Sequence, residues 1–337
     1  MTRNKGNTKF SKYETEIKAL ENVRSMKIST GNNVTVDNIF FLVGFQISQK
    51  CRFFLFALLL VVYNVTICGN LLIITLVSSN KNLHTPMYFF ISQLSISDIL
   101  LISDIAPNLL HVLLNNGAAI SFINCMTQLY FFSTAEASEC LLLAVMSYDR
   151  YVAICNPLHY ISIMTGMLCV KLVIIFWILT FFISFIYIIL FSRLIFCGPN
   201  IIDHLYCDLL PLKEISCSDT FPIKLNMYLL SIPFVVIPNL IIVISYVSIV
   251  RVVLRIPSNI SRQKAFSTCS SHLIVVAIFY LTIFTIYIFP TKGHKSNVNK
   301  ILSLLYTVCT PLVNPIIYCF RNRDIKKSFL EMIQKNV

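Results

Sequence analysis

The sequence predicts an all-α membrane protein, a bundle of seven transmembrane helices with its N-terminus outside. Three observations lead to this fold class. The 337 residues are 56% hydrophobic and only 12% charged, about half the charge of a typical soluble protein. Seven apolar runs each approach or exceed the roughly 18 residues that a helix needs to cross a bilayer. Lysine and arginine are also distributed unevenly among the loops, and their excess marks the inner side.

The apolar runs follow one another through short polar connections. In chain order they are Phe53–Val77, Met87–Val112, Asn124–Val152, Leu172–Ser192, Leu225–Val250, Leu273–Pro290 and Ile301–Phe320. Only the second and third contain charged residues. Together they predict one membrane domain over residues 53–322, followed by an inner tail over residues 323–337.

The polar N-tail, residues 1–52, has no apolar core of the kind that a cleavable signal peptide needs. We therefore expect the first span to act as the insertion signal, and residues 1–25 to form a disordered extension. The tail carries nine lysine and arginine residues, which argues for an inner location. The glycosylation sequon at Asn33 argues for an outer one, and we favour the outer location. The net charge of +12 fits cations that flank membrane lipid and does not require nucleic acid.

Four cysteines are expected on the outer side. Cys197, Cys207 and Cys217 lie ten residues apart in the loop after the fourth span, and Cys125 begins the third span. An oxidising exterior permits disulfides at these positions. The sequence alone leaves three pairings open for four cysteines.

Several motifs carry a family resemblance. The third span ends in Met-Ser-Tyr-Asp-Arg-Tyr-Val-Ala-Ile-Cys, and the second opens with Pro-Met-Tyr-Phe-Phe. The sixth is preceded by Lys-Ala-Phe-Ser-Thr-Cys-Ser-Ser-His, and the seventh ends in Pro-Leu-Val-Asn-Pro-Ile-Ile-Tyr. From about Asn33 to the tail the chain resembles a vertebrate odorant receptor, a rhodopsin-like receptor coupled to G proteins. It departs from the usual pattern at Cys319-Phe320, where serine and leucine are common, and at Glu136, where a small residue is common.

The resemblance implies two disulfides, Cys125–Cys207 and Cys197–Cys217. It implies a receptor of the olfactory sensory neuron's plasma membrane, which binds a small odorant and activates a stimulatory G protein of the olfactory type to raise cAMP. The residues implied in activation are Asp149, Arg150, Tyr151, Tyr246, Asn314, Pro315 and Tyr318. No enzymatic activity and no cofactor are implied, apart from a candidate sodium ion, or a shared proton, at Asp98, Glu139 and Asn314. The alternative for these three side chains is a purely structural hydrogen-bond network.

The family frame also implies a mostly apolar ligand pocket between the third, fifth, sixth and seventh spans. Its expected lining is Phe132, Ser133, Glu136, Cys140, Leu230, Phe234, Tyr280, Ile283, Phe284, Tyr287, Leu304 and Thr307. Glu136 is the unusual member, because its carboxylate can pair with a cationic ligand or, once protonated, donate a hydrogen bond. A helix–helix contact or a share in the Glu139 network is the alternative.

The tail segment Arg323–Ile333 alternates apolar and basic residues with helical spacing, which predicts a short amphipathic helix on the inner membrane surface. A transporter or channel is a less favoured interpretation of the whole chain, because the seven runs show no inverted repeat. A receptor for another small ligand or a peptide is a closer alternative.

Overall fold

The computed structural model of the chain describes residues 39–196, 200–218, 221–288 and 296–336. The N-terminal extension, the sequon at Asn33, Cys197 and the end of the predicted sixth span lie outside the described residues. The described part is a helical bundle with a small β-sheet at one end. We call the end with the sheet the outer end and the opposite one the inner end.

Seven long helices form the bundle, as predicted. They are α1 (Gln49–Ser79), α2 (Pro86–Asn115), α3 (Phe122–Cys155), α4 (Gly166–Ser192), α5 (Phe221–Ser231, continuing through Ile232–Val236 and Ile237–Leu254), α6 (Asn259–Ile288) and α7 (Ser296–Leu304, continuing through Leu305–Cys309 and Thr310–Arg321). Six are long and apolar enough to cross a membrane, and α6 contributes the shorter apolar segment Cys269–Thr285.

The predicted starts of several helices were too late. Helices α1, α3 and α4 begin before the predicted apolar run, at the point where a hydroxyl side chain caps the first turn. Ser48, Ser121 and Thr165 each accept a hydrogen bond from a backbone N–H three residues further on. An apolar run therefore marks the membrane-crossing part of a helix and not its full length.

Helix α3 is the centre of the bundle. It packs against α2, α4 and α5, and 67% of its most apolar segment is buried. The corresponding share is 22% in α1 and 17% in α4, so these two helices lie at the periphery with apolar side chains facing outward. The central position of α3 explains why its charged residues can serve as interior polar groups.

Helices α5 and α7 each contain one π-helical segment, Ile232–Val236 and Leu305–Cys309. Such segments widen the helix by one residue and often accompany functional sites. The α7 segment carries Tyr306 and Thr307, and both side chains are buried.

A three-stranded sheet at the outer end was not predicted. Strand β1 (Ile39–Leu42) lies between β2 (Ala118–Ser121), which is antiparallel to it, and β3 (Ile201–Ile202), which is parallel. The strands are too short to show an alternating pattern in the sequence. The disulfide Cys125–Cys207 fixes the loop that carries β3 to the start of α3, which is the first pairing that the resemblance implied.

The amphipathic helix α8 (Arg323–Asn336) lies at the inner end and extends three residues beyond its predicted end. The Asn322 side chain caps it by accepting hydrogen bonds from the N–H groups of Asp324 and Ile325. The Tyr88 hydroxyl donates to Asp324 at 2.8 Å, and the Asn80 amide donates to Ser328 at 2.9 Å. These bonds fix α8 against the inner end of α2 and the turn before it.

Candidate functional site

Aromatic rings from four parts of the chain meet near the outer end of the bundle. The ring of Phe132 on α3 lies 6.0 Å from that of Tyr206, in the loop between α4 and α5, and 6.3 Å from that of Tyr306 on α7. The ring of Phe279 on α6 lies 6.0 Å from Tyr306. All four side chains are buried, so they form an aromatic cluster at the place expected for the ligand.

Glu136 lies one helical turn inward from Phe132 and is half-buried. Its carboxylate lies beside Tyr306, and the charge of Asp208 in the outer loop acts on it. Among the described residues, no lysine or arginine forms an ion pair with Glu136. An interior carboxylate without a cation is costly, and a ligand with a positive charge or a hydrogen-bond donor would lower that cost.

The other predicted pocket residues differ in exposure. Thr307, Cys140, Ile283, Phe234 and Tyr280 are buried, whereas Ser133, Leu230 and Leu304 are half-buried. Tyr280 neighbours Cys140 across the α3–α6 interface. Phe284 is 44% exposed, so much of its ring faces away from the bundle. The side chain of Tyr287 lies outside the described part of the structure.

The outer end is closed over this cluster by a buried lysine. Lys300 on α7 donates from Nζ to the carbonyl oxygen of Gly44 at 2.7 Å and to Asp203 at 2.5 Å. Gly44 has a positive φ of 71°, and a Cβ there would lie 2.8 Å from Val112. Glycine therefore permits the close approach that brings the N-terminal segment, the outer loop and α7 together.

His204 in the same loop is buried and uses both ring nitrogens. Nδ1 lies 3.2 Å from the carbonyl oxygen of Tyr206, and Nε2 lies 3.2 Å from the hydroxyl of Ser303. Burial lowers the pKa of His204 below its ordinary value, and the nearby Lys300 charge acts in the same direction. The ring is therefore neutral at physiological pH and holds Tyr206 over the aromatic cluster.

A polar group lies deeper in the bundle. The amide of Asn314 donates to both carboxylate oxygens of Asp98, at 3.0 and 3.1 Å. Glu139 lies close enough for the two carboxylates to interact, but neither of its buried oxygens has a hydrogen-bond partner among the described residues. The structure thus brings the three predicted residues together without a direct bond to Glu139. Within the described part, no group of three or more histidine, cysteine, aspartate or glutamate side chains is arranged for a metal.

At the inner end, Arg150 is paired with its neighbour Asp149, with Nε 2.9 Å from the carboxylate. The hydroxyl of Tyr160, in the loop after α3, donates to the other oxygen of Asp149 at 2.8 Å. Burial raises the pKa of Tyr160 above its ordinary value, and the Asp149 charge adds to the effect, so this hydroxyl keeps its proton. The tyrosine was not predicted, and it holds Asp149 in place.

A second inner contact joins α5 to α6. The hydroxyl of Tyr246 lies 2.6 Å from Nδ1 of His272, and the two rings are stacked. Tyr318 on α7 is buried nearby, and its hydroxyl has no hydrogen-bond partner among the described residues. Tyr151 is half-buried beside Tyr148. Pro315 lies within α7 against Gly69 of α1.

Comparison with known proteins identifies the family of the chain. Residues 59–336 match the family model described as olfactory receptor. The chain is 42% identical to olfactory receptor 1468 of Rattus norvegicus, over 91% of this chain and 98% of that one. It is 45% identical to rat olfactory receptor 1500 over 90% and 97% of the two chains. It is 44% identical to human olfactory receptor 11L1 over 90% and 94%.

The chain belongs to the olfactory receptor family. It is therefore a multi-pass membrane protein and a signalling receptor of the G-protein-coupled class, not an enzyme. In this receptor the aromatic cluster and Glu136 lie toward the outer end of the bundle, and Arg150 and Tyr246 lie toward the inner end.

Several residues of the outer site were missed from the sequence, among them Phe279 and Lys300. Tyr206 and Asp208 flank Cys207, and the disulfide to α3 brings both toward the aromatic cluster. The expected Cys125–Cys207 disulfide could have predicted the position of both residues, because it fixes their neighbour Cys207 to α3. Tyr306 adjoins the predicted Thr307, but its direction depends on the π-helical segment. No sequence pattern indicated His204, because its partner Ser303 is 99 residues away in the chain.

Proposed function

We propose that this receptor binds a small odorant beside the Phe132–Tyr206–Tyr306 cluster and activates a stimulatory G protein of the olfactory type to raise cAMP. The observation that carries the proposal is the convergence of α3, α6, α7 and the disulfide-bound outer loop on these rings. Apolar walls with a few polar anchors are typical of small-molecule sites. Glu136, Ser133 and Thr307 supply the anchors.

Helix α6 connects the two ends of the molecule. Phe279 and Tyr280 face the aromatic cluster and Cys140, and His272, two turns toward the inner end, is bound to Tyr246. A ligand that binds better when α6 has moved outward shifts the population toward that conformation by its difference in affinity. The Tyr246–His272 hydrogen bond opposes this shift in the resting receptor.

Arg150 is the proposed contact for the G protein. In the described conformation its guanidinium is held by Asp149, and Asp149 by Tyr160. Once released, the planar guanidinium can donate several hydrogen bonds to backbone carbonyls of the partner. Tyr151, Tyr246 and Tyr318 support the open state, and Asn314 and Pro315 permit α7 to bend. The receptor acts in the plasma membrane of olfactory sensory neurons.

We also propose that Asp98, Glu139 and Asn314 hold a sodium ion or share a proton in the resting state. Two close, buried carboxylates cannot both stay ionised without a compensating charge. The unpartnered oxygens of Glu139 support this proposal, because oxygen ligands suit a hard cation. A closed hydrogen-bond network would have paired them.

The alternative ligand is a different small molecule or a peptide. The sheet, the Lys300 contacts and Tyr206 cover the outer end, which favours a small ligand. The test is a broad odorant panel on cells that express the receptor, with cAMP as the readout and empty-vector cells as control. Ligand-dependent cAMP that Phe132→Ala and Tyr306→Ala both reduce, at matched surface levels, supports the proposal. Responses only to peptides, or none dependent on these rings, contradict it.

A further inference from the structure

A groove of about 370 Å³ lies between α1, α7 and α8 at the inner end of the bundle. Its α1 wall includes Val65, Leu72 and Leu76, its α7 wall Pro315 and Cys319, and its α8 wall Phe329. It is separate from the aromatic cluster and from the residues assigned to G-protein coupling, apart from Pro315.

The groove is a consequence of how the three helices are held. Gly69 lets α1 approach Pro315, since a Cβ there would lie 3.3 Å from the proline ring. The Asn70 amide donates to the carbonyl of Pro311 at 3.1 Å and fixes the same contact. Helix α8 is held separately, through Asn80 and Tyr88. These attachments fix α8 at the turn between α1 and α2, and the groove lies farther along α1, beside Phe329 and Leu330 of α8.

The surroundings of the groove are apolar. Val65 is 49% exposed and Leu330 50% exposed, and both line it. In a transmembrane protein such rims face lipid chains, because a water-facing rim of this composition would be costly.

One cation lies at this apolar groove. Lys326 is the charged residue among the lining side chains. The next residue, Lys327, does not line the groove and pairs with Glu331 at 3.8 Å. Lys326 has no such ion pair within the described residues. A lysine can lay its apolar stem along a groove and present its ammonium group at the membrane surface.

We propose that this groove binds an anionic phospholipid of the inner leaflet, with one acyl chain between α1 and α7 and its phosphate on Lys326. Basic positions next to transmembrane helices on the inner side attract anionic headgroups by about 1 kcal/mol per cation. A sterol would fill the apolar part but would offer the lysine only a hydroxyl. Bound lipid adds apolar contacts between α8 and α1 to those that the two helices already make.

The test uses purified full-length receptor in detergent, with native mass spectrometry to count bound lipid and thermal unfolding to measure stabilisation. Phosphatidylserine is compared with phosphatidylcholine of identical acyl chains. We expect one phosphatidylserine to bind tightly and raise the unfolding temperature more than phosphatidylcholine does. Lys326→Ala should weaken its binding about fivefold, which corresponds to about 1 kcal/mol.

Two matched controls distinguish lipid binding in the groove from nonspecific electrostatic attraction of anionic lipid to the receptor. Lys327→Ala removes the same charge one residue away and should leave binding nearly unchanged. Val65→Trp should block the acyl chain of either lipid, whereas Val61→Trp, one turn earlier on the same exposed side of α1, should not. Equal losses in Lys326→Ala and Lys327→Ala would overturn the proposal. So would equal affinity for the two phospholipids, or stabilisation by a sterol analogue alone.

Discussion

The hydroxyl of Tyr246 on α5 lies 2.6 Å from Nδ1 of His272 on α6, and this hydrogen bond is a direct polar contact between those two helices near the inner end. It lies close enough to Arg150 for the arginine's charge to act on both side chains. Outward movement of α6 must break it. It therefore contributes to the stability of the closed bundle.

His272→Phe should raise cAMP in the absence of ligand. The substitution removes the bond and leaves Tyr246 free to support the open state. A buried hydrogen bond contributes about 1 kcal/mol, so we expect roughly a fivefold rise in the active population. Tyr246→Phe is the matched variant, because it breaks the same bond but removes the hydroxyl, and it should lower the maximal agonist response. If His272→Phe leaves basal cAMP unchanged at equal surface expression, the bond does not restrain α6.

Arg150→Ala should abolish agonist-dependent cAMP while the receptor still reaches the cell surface. The guanidinium is held by Asp149 in the closed state and is the proposed contact for the G protein in the open one. Lys171→Ala removes an exposed cation at the same end of the bundle and should have little effect. A normal dose–response curve in well-expressed Arg150→Ala would contradict the assigned role.

Glu136→Gln and Glu139→Gln should have different effects across an odorant panel. Glu136 adjoins the aromatic cluster, so loss of its charge should shift potency by about tenfold, or about 1.4 kcal/mol, for amines and hydrogen-bond donors only. Glu139→Gln should alter activation by every ligand, because it adjoins Asp98. Probes of similar size, 2-phenylethylamine and the apolar propylbenzene, measure the difference. Equal loss for both probes in Glu136→Gln would place Glu136 in the inner polar group.

Acidification should destabilise the outer end through His204. Its pKa in the folded receptor is lowered, so its contribution to stability is present above the ordinary histidine value of about 6.5 and is lost as the pH falls below it. Asp203, Asp208 and Lys300 are the charged groups that act on the ring. We expect the unfolding temperature of purified receptor to fall between pH 7.5 and 5.

His204→Gln should reduce this pH dependence, whereas His111→Gln, an exposed histidine on α2, should retain it. An unchanged pH profile in His204→Gln would assign the acid sensitivity to other groups.

Peptide mapping without reduction should find Cys125 joined to Cys207 and Cys197 joined to Cys217. The first disulfide is present in the structure; for the second, Cys197 lies outside the described residues. Removal of a structural disulfide costs about 2–5 kcal/mol, so Cys125→Ser should largely prevent surface expression. The exposed Cys51 at the start of α1 provides a control, and Cys51→Ser should be tolerated. Recovery of a Cys125–Cys197 peptide would refute the expected pairing.

The sequence predicted the seven helices because length and apolarity alone identify a membrane span. It also placed Asp98 with Asn314 and Arg150 with Asp149, through motifs that the family shares. It did not predict Tyr160 or the sheet. Tyr160 acts through one hydrogen bond from an exposed loop, and such a bond leaves no periodic pattern.

The direction of individual pocket side chains also required the structure. Phe284 fits the helical spacing of the pocket face, yet it is largely exposed. Tyr306 did not stand out from the spacing in α7, yet it contacts both Phe132 and Phe279. A π-helical segment rotates the residues that follow it relative to a regular helix. A prediction that assumes a constant helical period therefore assigns those side chains the wrong direction.

The position of β1 has a consequence for biosynthesis. This strand precedes α1, so it is made first and reaches the outer side when α1 is inserted. Its partners arrive much later, since Phe40 pairs with Ile120 and Phe41 with Ile201. Contacts between distant parts of a chain form slowly. Strand β1 can pair with β2 once two spans are in place, but its pairing with β3 requires four spans. Completion of the sheet is thus a late step in the folding of this receptor.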